Sequence, residues 1–196
     1  MERRSRFLYL LGLILIFSAC ASEPTEELTQ AQAAYDEALQ AEADKYVSEK
    51  FQAAKQVLEE AKAAVEAEKE KFALSRDFDA AKQQLAQVTA DFRALAQEAA
   101  EEKERVRQET EQGLNEARAA LENARALLSK APRGKGTRAD LEAMSADLDA
   151  AEQTLQAAAE ALEKAAYLDA RAQVSSAKEK ISAVTQQVEA AMARRR

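Results

Sequence analysis

The sequence predicts an all-α protein: an elongated antiparallel helical bundle of coiled-coil type, with two tandem three-helix units that share one long helix. Three observations predict it. Alanine, the best helix former, makes up about a quarter of the chain after residue 19. Only three glycines and two prolines interrupt that stretch, and β-branched residues never run together in it. Apolar side chains also recur about every 3.5 residues in four separate series of three heptads or so, the pattern of helices packed side by side in left-handed coils.

The N-terminal segment stands apart from this pattern. Arg3, Arg4 and Arg6 precede an apolar run of 11 residues, Phe7 to Phe17, and then small Ser18 and Ala19 lead to the only cysteine, Cys20. This is the three-part layout of a secretory signal peptide, and the run is shorter than the roughly 20 residues a spanning helix needs. Phe17-Ser18-Ala19-Cys20 resembles the bacterial lipobox, with Phe17 where an aliphatic residue is usual. The resemblance implies diacylation of the Cys20 thiol and cleavage between Ala19 and Cys20. Residues 1–19 would then be a removed signal peptide and 20–24 a lipidated tether, held stably in the membrane because two or more acyl chains anchor where one is marginal. Ala21 follows the cysteine where an aspartate would resemble an inner-membrane retention signal, which implies an outer-membrane destination facing the periplasm. The alternative is an uncleaved signal anchor in which Cys20 is incidental.

Helices are expected from Pro24 onward, in a first unit over 25–105 and a second over 106–196. A leading helix shows Leu28, Ala31, Tyr35 and Ala38. The first of the four series is Val47, Phe51, Ala54, Leu58, Ala61, Val65 and Phe72, with Glu68 filling one place. The second is Phe78, Ala81, Leu85, Val88, Phe92, Leu95 and Ala99. Leu141, Met144, Leu148, Ala151, Leu155, Ala158 and Leu162 form another, and Ala170, Val174, Ala177, Ile181, Val184 and Val188 the last.

Register shifts between the series place turns near Asp44–Ser48 and Ala165–Asp169. Ser75-Arg76-Asp77 offers short polar caps for a new helix, and Ser129–Gly136 holds Pro132, Gly134 and Gly136. Thr137 and Asp140 then make a capping-box-like start. One helix should run unbroken from Phe78 to about Leu128, with Gly113 costing it about 1 kcal/mol. Its middle, Glu101–Glu111, is mostly charged and expected in solvent, with Glu101 and Arg105 as an i,i+4 pair.

The chain repeats internally. Leu28-x-x-Ala31-x-Ala33-Ala34-Tyr35-x-x-Ala38 resembles Leu114-x-x-Ala117-x-Ala119-Ala120-Leu121-x-x-Ala124, and Phe51, Leu58, Ala61 and Val65 resemble Leu141, Leu148, Ala151 and Leu155. Phe78-Asp79-Ala80 likewise resembles Leu168-Asp169-Ala170. Two such units in tandem would form a spectrin-like rod with a thin core, since alanine in place of leucine forgoes roughly 2.4 kcal/mol of burial.

The lipobox followed by Glu23-Pro24-Thr25-Glu26-Glu27-Leu28, the alanine spacing, Tyr46-Val47-x3-Phe51 and Arg76-Asp77-Phe78-Asp79-Ala80-Ala81 resemble a group of alanine-rich outer-membrane lipoproteins of unknown function. In some members similar repeats precede an OmpA-type peptidoglycan-binding domain, and none is expected before the chain closes at Arg196. The resemblance implies a place in the cell envelope rather than a reaction.

Composition narrows the function further. Removal of residues 1–19 leaves 25 basic against 34 acidic side chains, so the net charge moves from −7 to −9. Such a surface lacks the electrostatic footprint of nucleic-acid binding. Histidine and tryptophan are absent, which removes catalytic triads, imidazole acid–base chemistry and histidine-bearing metal sites. Carboxylate-pair catalysis needs a cleft holding two acids in different environments, and charges at solvent-facing spacing do not suggest one. Gly134-Lys135-Gly136-Thr137 lacks the strand and the adjacent hydroxyl of a phosphate-binding loop. No enzyme, cofactor or metal is expected.

Arg194, Arg195 and Arg196 suit the carbonyl dipoles of a helix C-terminus; they also offer a contact for a partner or for anionic cell wall. Lys130, Arg133 and Lys135 make the central loop basic, while Tyr35, Tyr46 and Tyr167 lie at seam positions. The expected role is a lipid-anchored scaffold or adaptor, held to the membrane through Cys20 and engaging an envelope protein. Non-covalent peptidoglycan association is the alternative, and a homo-oligomer is compatible with open bundles.

Overall fold

The computed structural model describes residues 22–132 and 138–193. These form six α-helices and no strand: α1 Thr25–Gln40, α2 Ala43–Tyr46, α3 Ser48–Lys69, α4 Asp79–Lys130, α5 Arg138–Glu163 and α6 Tyr167–Ala193. They pack as helical bundles, as the alanine content and the apolar repeats require. The chain divides into two compact units, one closing at Ala99 and the other opening at Ala100.

In the first unit the core draws on α1 (Ala31, Ala34, Ala38), α3 (Phe51, Leu58, Ala61, Val65) and the start of α4 (Leu85, Val88, Phe92, Ala99). Direction follows from the cross-helix contacts. Lys62 Nζ reaches Gln32 Oε1 at 3.3 Å, and Lys69 pairs with Glu23, so α1 and α3 run antiparallel. Lys50 Nζ at the start of α3 meets Glu98 Oε1 at 2.5 Å, and Glu68 near its end accepts from the Asp77 N–H just before α4, so α3 and α4 run antiparallel. At the centre the rings of Tyr35, Phe51 and Phe92, one from each helix, have centroids 5.3–5.7 Å apart. Burial of each phenylalanine contributes about 1.5–3 kcal/mol, and ring pairs of this geometry add about 0.5–1.5 kcal/mol. Tyr35 thus fills a seam, as its spacing suggested.

In the second unit Leu114, Ala117, Leu121 and Ala124 of α4 meet Leu148, Ala151, Leu155 and Ala158 of α5 and Val174, Ala177, Ile181, Val184 and Val188 of α6. Arg125 bridges to Asp149 and Glu152 on α5, at 2.7 and 2.8 Å. Lys178 on α6 bonds Glu116 on α4 at 2.8 Å. Gly113 is explained by close approach, because a Cβ there would stand 3.3 Å from Val174 Cγ1. The long helix therefore carries its one glycine where the Val174 side chain of α6 packs against it.

Several expectations need correction. The turn placed near Asp44–Ser48 begins earlier: α1 stops at Gln40, Glu42 takes left-handed φ 60°, and α2 adds one turn before Val47 breaks the helix again. No glycine marks this stop, so the register shift located it only loosely. Phe72 was assigned to the buried stripe, yet α3 ends at Lys69 and Phe72 is exposed. The match of Phe78-Asp79-Ala80 to Leu168-Asp169-Ala170 is out of register in space. Phe78 is buried and Leu168 only partly so, and the buried series aligns Ala81 with Ala170 and Phe92 with Ile181.

The charged middle of α4 is not wholly solvated either. Val106 and Thr110 are buried, the Thr110 hydroxyl donating to the Val106 carbonyl at 2.6 Å. Arg105 pairs with Glu102 rather than Glu101. The turn near Ala165–Asp169 is where the register shift placed it, although it opens at Lys164. Ala165 takes φ 57°, its N–H donates to the Leu162 carbonyl at 3.0 Å, and the Ala166 N–H donates to the Ala161 carbonyl at 2.9 Å, the two bonds of a Schellman stop. Arg133, Gly134, Lys135, Gly136 and Thr137, with the expected loop and cap, lie outside the described residues.

Candidate functional site

Ala19, Cys20 and Arg194–Arg196, the positions singled out from the sequence, lie outside the described residues. What the structure does show is how the chain enters the first unit just after them. Lys82 Nζ donates to Ser22 Oγ at 3.2 Å, and Lys69 forms an ion pair with Glu23. Pro24 is buried, and its carbonyl accepts the Leu28 N–H at 3.0 Å, opening α1. Proline at a helix start loses no hydrogen bond, since the first N–H groups have no partner inside the helix. Ser22 is thus held beside α4 and Glu23 beside the end of α3.

The same end of the unit carries the connection from α3 to α4, and two side chains build it. Glu68 accepts from Lys71 Nζ at 2.5 Å through Oε1 and from the Asp77 N–H at 3.0 Å through Oε2. The Arg76 guanidinium caps the other side, donating to the Lys69 carbonyl at 2.7 Å and to the Lys71 carbonyl at 3.0 Å. The first of these satisfies the last carbonyl of α3, which lacks a partner within the helix, and the second holds the loop just beyond it. Asp77 then accepts the Asp79 N–H at 3.0 Å, so the cap expected from Ser75-Arg76-Asp77 is made by Asp77. Ser75 instead closes a 3-10 turn, its N–H and its hydroxyl both donating to the Phe72 carbonyl at 2.8 Å.

Electrostatics agrees with this geometry. Lys71, then the Asp77 N–H, holds the Glu68 carboxyl below its ordinary value. Glu23, then Glu66, holds the Lys69 ammonium above its own.

The result is a tied loop that turns two large apolar side chains outward. Phe72 is 74% exposed and Leu74 is 85% exposed, against 36% for Leu39 at the far end of α1. Sequence reading missed them because Phe72 continues the spacing of α3. The signal that could have found them is the charged run Glu68-Lys69-Glu70-Lys71, which leaves no apolar step between Val65 and Phe72.

Elsewhere the described surface carries shallow grooves. One groove is lined by Leu28, Thr29, Gln32, Ala33, Asp36 and Lys62, another by Tyr46–Lys50. Tyr46 packs partly against the first core, while Tyr167 is partly buried at the start of α6. The described residues hold no cluster of metal-ligating side chains, and none of their helices is long and apolar enough to cross a membrane. Among the described residues Glu68, Glu104 and Glu116 are the carboxyls whose pKa is displaced, all of them downward by cationic or amide partners. A general acid calls for the opposite displacement. What the described surface does present is exposed apolar side chains at Phe72 and Leu74 beside charged ones.

No family model, curated protein or solved structure matches this chain. The resemblance to alanine-rich outer-membrane lipoproteins accordingly rests on the sequence alone.

Proposed function

We propose that the protein is a lipid-anchored envelope lipoprotein that acts as a structural scaffold or adaptor and catalyses no reaction. The observation that carries this reading is the segment from Arg3 to Cys20, in which a positive start, a short apolar run and two small residues end on the single cysteine. Ser22, two residues after Cys20 in the sequence, is tied to Lys82 of the first unit, which suits a short tether. The charged, thin-cored helices support a role for the surface rather than for an interior. In the same reading α4 is the third helix of one unit and the first of the next, and the two make a spectrin-like rod projecting from the outer membrane into the periplasm. The alanine-rich lipoproteins named above are the group into which such a protein falls.

Labelling of cells with radioactive palmitate tests the anchor. The label should enter the wild-type chain and be lost in Cys20→Ser, which should also leave the membrane fraction. Unlabelled wild-type protein would refute the reading. Cross-linking in intact cells should capture a defined envelope partner, and a chain that stays uncoupled at native abundance would refute the adaptor role. Small-angle scattering of the purified protein should return an elongated particle.

A further inference from the structure

The loop between α3 and α4 is the second point of contact between this protein and the lipid bilayer: we infer that Phe72 and Leu74 insert into the same leaflet that holds the Cys20 acyl chains. The inference rests on the lipoprotein reading and adds a site that the anchor alone does not require.

Connectivity carries the argument. Two peptide links separate Ser22 from Cys20, a reach of at most about 8 Å. Ser22 is tied to Lys82 and Glu23 to Lys69, so acyl chains on Cys20 hold this end of the first unit against the headgroups. Phe72 follows Lys69 by three residues, a reach of at most about 11 Å. The most exposed large apolar side chains among the described residues therefore stand where a bilayer would meet the bundle.

The loop is also built to keep them outward. Glu68 and Arg76 bind its backbone from both sides, and the Phe72 carbonyl is occupied by Ser75. Those bonds fix the backbone on which the two exposed side chains stand. The opposite end of the unit lies about 24 Å away along α1 at 1.5 Å per residue, where Leu39 is much less exposed. Charge gives the mode of contact. Residues 66–79 carry three cations against five acids, so attraction to anionic lipid is not the driving force, and apolar insertion is. Contact should be no stronger on anionic than on zwitterionic vesicles.

The absence of tryptophan from the chain makes the test direct. Full-length protein carrying Phe72→Trp, Leu74→Trp or Leu39→Trp is extracted from palmitate-labelled cells and reconstituted on phosphatidylethanolamine–phosphatidylglycerol vesicles, with or without bromine on the acyl chains. The Phe72→Trp and Leu74→Trp reporters should shift to the blue and lose intensity to the brominated lipid, while the Leu39→Trp reporter does neither. Labelled protein whose loop reporters stay unquenched overturns the inference and leaves the lipoprotein reading intact. Equal quenching of all three reporters also overturns it, because the bundle would then lie flat. A loop reporter shielded only by a second copy, seen as a cross-linked dimer without bromine quenching, assigns the patch to self-association and overturns it as well. Protein without palmitate removes the reading and the inference together.

Discussion

Three rings meet at the centre of the first unit, where Tyr35, Phe51 and Phe92 pack edge to face and tilted. The clustered core residues of the second unit are alanine, leucine, valine and isoleucine, with no aromatic side chain among them. Both units otherwise keep the same pattern of buried alanines, Ala31, Ala38 and Ala61 standing where Ala117, Ala124 and Ala151 stand in the other. The difference teaches where stability is concentrated. One ring removes about 150–250 Å² from water, so the first core depends on a few large contacts, whereas the second spreads its burial over many smaller ones.

The largest expected effect separates the two cores directly. Phe92→Ala should cost the first unit about 3–5 kcal/mol, and Ile181→Ala should cost the second about 2–5 kcal/mol, nearer the lower end because a smaller void is left. Urea unfolding followed by hydrogen exchange resolved to each unit would read both. Equal losses would break the comparison.

Next comes overpacking at the close crossing in the second unit. Gly113→Leu should destabilise it by about 1–3 kcal/mol, since even a Cβ meets Val174 Cγ1 at 3.3 Å. Gly113→Ala should come out near neutral in thermal melts, because about 1 kcal/mol of helix propensity opposes that tight contact.

The helix stops give a smaller and opposite effect. Ala165 holds a left-handed conformation that costs a residue bearing a Cβ about 1–2 kcal/mol. Ala165→Gly should therefore raise stability by about 0.5–1 kcal/mol after the added flexibility of glycine is discounted. Glu42→Gly in the first unit should gain less, since it also removes the 2.7 Å pair between Glu42 and Lys45.

The smallest effect is that of acid. Arg107 first, then Gln108, lowers the Glu104 carboxyl from 4.5 to about 2. Lys178, then Gln112, lowers Glu116, and Lys71 lowers Glu68. A depressed carboxyl stabilises the folded chain above its unfolded value and loses that contribution as pH falls through the folded one. Melting temperature should decline as pH drops from about 4.5 toward 2, and Glu104→Gln should flatten that limb. These groups are solvent-facing, so screening by salt should shrink the effect.

The heptad positions of Phe51, Leu58, Val65, Leu85, Val88, Ile181 and Val188 were legible because burial on a helix leaves a periodic trace. The stop of α1 was not, because Glu42 supplies the left-handed residue that glycine usually marks. Nor was the end of α3, since Phe72 keeps the spacing while Glu68 and Arg76 divert the backbone away from it. That diversion depends on hydrogen bonds across nine residues, from Glu68 to Asp77, which no local pattern records. The candidate site divided along the same line: Cys20 was readable as a motif, whereas Phe72 and Leu74 became visible only once the loop was folded.

Alanine-faced helices have a particular weakness, which the aromatic cluster addresses. A helix whose inward face is mostly methyl groups looks much the same after sliding by one heptad against its neighbour, so neighbouring alignments lie close in energy. Three interlocked rings remove that degeneracy, because a slide of one partner would force a phenylalanine into a space shaped for an alanine. Tyr35, Phe51 and Phe92 thus act as an alignment key for an otherwise nearly featureless zipper.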